Sequence, residues 1–134
     1  MERIIRDERW EVKLVKALQD AETVKFEYGI TDCTTWSAYV VSQYTNLKWQ
    51  PTWTNKKEAL KQQKSKPMEQ QVSKVLKQGP KTIFTKIKRG DLVQKGVGID
   101  AALGIYVGQG KVAFIAKVGL VYIRVTECTY YWEI

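Results

Sequence analysis

The rhythm of apolar and polar positions changes near residue 81. Before it, apolar side chains recur every three or four residues. After it they crowd into short runs rich in Val, Ile and Tyr, separated by glycines. Over residues 6–22, Trp10, Leu14, Leu18 and Ala21 keep helical spacing, Val15 widens the stripe and charges fill the opposite side, which predicts an amphipathic helix. Phe26-Glu27-Tyr28-Gly29 reads as a short extended approach to a turn. Thr31 or Asp32 then caps a second helix over 33–44, where Cys33, Trp36, Val40 and Tyr44 on one side and Ala38 and Val41 on the other predict burial nearly all round.

Trp49, Pro51 and Trp53 fall in an irregular connection. Thr54 or Asn55 caps a polar helix through Gln63, and Ser65-Lys66-Pro67 breaks it. Met68, Val72, Val75 and Leu76 form the next stripe, with Gly79 expected at its C-terminal cap and Pro80 behind it. Ile83, Phe84 and Ile87 lead into a turn at Lys88-Arg89-Gly90-Asp91, which feeds a strand at Leu92-Val93. Further strands are predicted over 101–107, 112–118 and 120–126, with Gly108-Gln109-Gly110 as a tight hairpin turn. Helices over 1–80 followed by an antiparallel meander over 81–134 make an α+β domain.

Composition narrows the functions open to such a chain. Its 134 residues suit one domain, and 44% hydrophobic with 27% charged residues argues against wholesale disorder. No apolar run reaches the roughly 18–20 residues of a membrane span, and the first eight residues alternate charge where a secretory signal would place its apolar core. A soluble single-domain protein made in a cytosol is therefore expected. Two cysteines, Cys33 and Cys128, are too few for a disulfide framework and do not form a zinc-type pair. Histidine is absent, which removes the commonest metal ligand and the usual general base. Neither metal nor cofactor is expected.

The net charge of +8 is local: residues 48–95 hold 13 Lys and Arg against three acids. This basic middle reads as a solvated lysine-rich helical face or as a surface for an acidic partner. Lysine outnumbers arginine there by 12 to 1, whereas base-reading interfaces lean on arginine, so nucleic acid is not the expected partner. Lys56, Lys57 and Lys61, with Trp49 and Trp53 in the neighbouring connection, are the candidate partner contacts.

The sharpest local feature is Tyr28-Gly29-x-x-Asp32-Cys33 at a helix start. Cys33 reads either as a small buried hydrophobe or as a nucleophile whose thiolate the helix dipole favours. Asp32 reads as a helix cap, and Gly29, Gly90 and Asp91 as turn and cap residues. Tyr28-Gly29…Asp32-Cys33, Arg89-Gly90-Asp91-Leu92-Val93 and Ala102-Leu103-Gly104-Ile105-Tyr106-Val107-Gly108 follow one another in the order of the matching segments of NlpC-type, papain-like cell-wall peptidases. The chain resembles that group over roughly residues 24–126. More closely it resembles an uncharacterised phage and prophage family found among tail genes, which shares these segments and the pairs at Ala113-Phe114 and Gly119-Leu120.

The resemblance implies an NlpC-type fold, with the helix start at Cys33 packed against the strand containing Ala102. It also implies that Cys33 holds the nucleophile position, while Ala102 and Phe114 stand where the base and its polar orienter belong. With both apolar, no catalytic residue is assigned. The expected function is that of a noncatalytic structural component of a tailed-phage virion, in the tail or its tip, touching other tail proteins as multiple copies in a symmetric assembly. Two alternatives are a cysteine peptidase or amidase acting on host peptidoglycan through Cys33, and a basic accessory module that binds nucleic acid.

Overall fold

Alternation along the strands sorts the side chains of one five-stranded antiparallel sheet onto two faces. The computed structural model describes residues 4–23, 32–49, 51, 55–117 and 119–134. Its strands are β1 (Leu92–Lys95), β2 (Ala102–Gly108), β3 (Lys111–Ala116), β4 (Gly119–Arg124) and β5 (Tyr130–Trp132), in the spatial order β4-β3-β2-β1-β5. Leu92, Leu103, Ile105, Ile115 and Trp132 turn to the face that carries the helices. Val93, Val112, Phe114 and Tyr131 turn to the other face, where Phe84, Ile87, Val125 and Cys128 pack over them.

The helices are α1 (Trp10–Ala21), α2 (Cys33–Tyr44), α3 (Lys56–Ser65) and α4 (Met68–Leu76), so the domain is α+β. Leu14, Ala17 and Ala21 of α1 and Met68, Val72 and Leu76 of α4 bury one face each, as their spacing requires. α2 lies between α1 and β2, and Trp36, Ser37, Ala38, Val40, Val41 and Tyr44 are all buried. α3 is different: Ala59 is its only buried residue among the described side chains.

Four details differ from the sequence pattern. The first helix starts at Trp10 and not at residue 6, because the chain before it runs extended beside the end of α2, with Arg6 bridged to Thr45 and the Asp7 amide bonded to the Tyr44 carbonyl at 2.8 Å. Lys77, not Gly79, ends α4, taking the left-handed φ of 56° while the Gln78 amide reaches the Ser73 carbonyl. The last predicted strand stops at Arg124 and gives way to a 3-10 turn at Val125–Glu127. β5 has no counterpart in the pattern reading: it is three residues long and exists by pairing with β1 through Leu92↔Trp132. Trp132 is fully buried there, its indole N–H donating to Ser73 Oγ at 3.1 Å. Residues 33–44, the strand expected over 101–107 and found at 102–108, and the hairpin turn at 108–110 agree with the pattern to within one residue.

Gly104 has a steric reason. A Cβ there would lie 2.5 Å from the Ala113 carbonyl oxygen and 2.8 Å from the Phe114 ring, so only glycine lets β2 and β3 approach. Tyr28, Gly29, Thr31, Trp53 and Thr54 lie outside the described residues. Among the described residues, no helix is long and apolar enough to cross a membrane.

Candidate functional site

The start of α2 is fixed by Asp32, whose Oδ1 accepts from the Thr35 amide and whose Oδ2 accepts from the Thr35 hydroxyl, each at 2.9 Å. Asp32 is buried, so this cap holds the first turn firmly against the sheet. That turn meets β2 at Leu103. The Tyr106 amide bonds to the Asp91 carbonyl, which makes Gln94↔Leu103 a non-hydrogen-bonded pair and turns the peptide groups of Leu103 away from β1. On the other side, pairing with β3 begins only at Ile105↔Ala113. α2 fills the gap: Ser37 Oγ donates to the Leu103 carbonyl at 3.1 Å, and the Leu103 amide faces the Cys33 thiol.

This setting reverses the expected acidity of Cys33. Burial pushes its thiol pKa up, and the nearby Asp32 carboxylate adds to the rise. The Leu103 amide and the Thr34 hydroxyl, 3.9 Å from Sγ, pull the other way without offsetting it. The thiolate favoured by the helix dipole is therefore not the resting form. Cys33 packs against the helix-side core, whereas Cys128 packs on the opposite face of the sheet, so the two thiols do not meet, and both are free. Ala102 and Phe114 also belong to that opposite face, because residues on either side of Leu103 and Ile115 point away from the helices. Cys33 is thus brought to the strand of Ala102 but faces its neighbour Leu103.

Gly90 and Asp91 build a second polar cluster at the other end of α2. Arg6 reaches into it from the N-terminal segment: Nε donates to the Ile134 carbonyl at 2.9 Å, one terminal nitrogen to the Arg89 carbonyl at 2.7 Å, and the other to Asp91 Oδ1 at 3.2 Å. Asp91 is fully buried and accepts from the Ile134 and Lys88 amides at 3.0 Å each. Burial raises its carboxyl pKa against the pull of those amides and of the Lys88 and Arg6 charges. Tyr44 donates to the Gly90 carbonyl, and the Arg6 guanidinium stacks 4.2 Å from the centre of the Trp10 ring. Gly90 combines a φ of +95° with the guanidinium beside it, and a Cβ there would stand 2.9 Å from Arg6.

The candidate contact residues separate. Lys56, Lys57 and Lys61 are exposed on α3, while Trp49 is half-buried against the helix-side core and offers less free surface than its loop position implied.

One family model matches the chain over residues 5–134, and it is described as a domain of unknown function, DUF6950. The chain belongs to that family. None of the curated proteins matches it in sequence. The span shared with the family takes in both Arg6 and Ile134, so the whole cluster around Asp91 lies inside it. Arg6, Ser37 and Tyr44 carry the polar ties of the two clusters, and pattern reading did not single out these roles. The only local signal was Arg6 four residues before Trp10, and its charge partner lies 85 residues further on.

Proposed function

We propose that this chain is a noncatalytic domain with the papain-like, NlpC-type architecture, and that it serves as a structural component of a tailed-phage virion, in the tail or its tip, through protein contacts. The observation that carries the noncatalytic part is the setting of Cys33. Its thiol lies at a helix start against the strand, as a papain-type nucleophile does. It nevertheless faces the Leu103 amide with its pKa raised by burial, in a sequence without histidine. Amide cleavage needs a base for attack and an acid for the departing amine, and general acid–base help is worth about 10²–10⁴ in rate. In this arrangement the thiol serves the fold: it meets an amide that no strand pairs.

The phage-tail setting rests on the resemblance of Asp32-Cys33, Gly90-Asp91-Leu92, Ala102–Ile105 and Gly119-Leu120 to the tail-gene family. Sedimentation of intact virions followed by immunodetection tests it. A tail component bands with the particles at a fixed ratio to the other tail proteins. Recovery only in the soluble lysate, with particles free of it, contradicts the proposal.

A further inference from the structure

We infer that the outer side of α4 is a docking surface for an acidic amphipathic segment of a protein partner, a reading that rests on the contact role proposed above and names its surface. Two grooves flank α4, and Val75 lines both. The groove toward α3, about 450 Å³, is edged by Lys66 and Lys74. The groove on the other side, about 410 Å³, has Leu47 and Leu76 in its wall and is edged by Lys48 and Lys77. The second groove has an aliphatic wall beneath its lysines, whereas the first has Val75 as its aliphatic residue beside Gln62, Ser65 and Gln71.

Lysines outnumber acids across this region. Lys56, Lys57, Lys61, Lys64, Lys66, Lys74 and Lys77 are exposed, and among the described residues none of them forms an ion pair. Helix electrostatics divide these lysines: Lys64 and Lys66 stand at the C-terminal end of α3 and Lys74 and Lys77 at that of α4, where positive charge is favoured. Lys56 and Lys57 share the first turn of α3, where the helix end is positive, with the acidic Glu58, and Lys57 and Lys61 are like charges one turn apart.

The aliphatic patches decide between partner classes. A phosphodiester backbone uses lysine rims but has nothing to place on the half-buried Val75 and Leu47. A segment that alternates carboxylates with aliphatic side chains uses both, placing its apolar residues on Val75 and Leu47 and its acids on the surrounding lysines. Lysine in place of arginine across the rims fits carboxylates met as point charges and not as bidentate partners.

Fluorescence anisotropy with a labelled short peptide repeating Glu-Leu-Glu-Glu-Leu tests this directly, with the Leu→Ser version of that peptide and a labelled DNA duplex as comparisons. The peptide is expected to bind more tightly than either. The Lys66→Glu/Lys74→Glu/Lys77→Glu variant is expected to bind it at least about tenfold more weakly. Lys16→Glu/Lys111→Glu/Lys117→Glu, which changes net charge equally at a distance, is expected to stay within about threefold of the parent. Circular dichroism confirms that both variants fold. Equal binding of the Leu→Ser peptide, tighter binding of the duplex, or equal losses in the two variants would each overturn the inference. These outcomes are independent of hydrolase activity, so a failure here and a failure of the noncatalytic reading are distinguishable.

Discussion

The Ser37 hydroxyl donates to the Leu103 carbonyl at 3.1 Å, and both residues are fully buried. Leu103 is where β2 has left β3 and turned its peptide groups from β1, so α2 takes the part of a missing strand. Ser37→Ala leaves that carbonyl without its donor and is expected to cost about 1–3 kcal/mol in urea unfolding. Cys33→Ser keeps a hydrogen-bond acceptor of similar size facing the Leu103 amide and is expected to cost under about 1 kcal/mol. A larger loss for Cys33→Ser than for Ser37→Ala would contradict this account of the α2–β2 contact.

Asp91 is the more severe site. Asp91→Ala removes the partner of Arg6 and the acceptor of the Lys88 and Ile134 amides at once. Truncating one member of a buried pair typically costs about 3–5 kcal/mol, and that loss is expected in equilibrium unfolding. Replacing Arg6 and Asp91 together by apolar residues is not expected to restore stability, since the two amides stay unpaired. Full recovery in the double variant would show that the ion pair alone matters.

Alkaline pH should weaken the fold. The folded chain holds the Cys33 and Tyr44 protons more tightly than an unfolded chain, because burial raises both pKa values above their ordinary 9.0 and 10.0. The sign follows: their contribution is fully present below about pH 9 and is lost as pH rises, at up to about 1.4 kcal/mol per pH unit for each group. Cys33→Ser is expected to lessen the fall that begins near pH 9, which the Cys128 thiol, pushed up to about 11 by burial, also feeds, and Tyr44→Phe the part above pH 10. Denaturation curves that stay level to pH 11 would contradict the burial of both groups.

Much of this architecture was legible in the sequence, for local reasons. α2 is buried nearly all round and carries its own cap, so the pattern gave its bounds, and the glycines of the 108–110 turn announced the hairpin. β5 was not legible because three residues held by pairing with β1 carry no period of their own. The site divided in the same way. Cys33 at a capped helix start could be read from Asp32 alone, but its acidity depends on Leu103, 70 positions away. The partner of Asp91 was equally hidden, since Arg6 sits in an extended segment that helical spacing had absorbed into α1.

The noncatalytic reading meets its most direct test on cell-wall material. Purified wild-type protein and Cys33→Ser are overlaid on peptidoglycan, with a known hydrolase as positive control. The account predicts no clearing by either protein, because a protonated thiol facing Leu103 has no histidine to draw on. Clearing by the wild type that disappears in Cys33→Ser would contradict it and make Cys33 a working nucleophile.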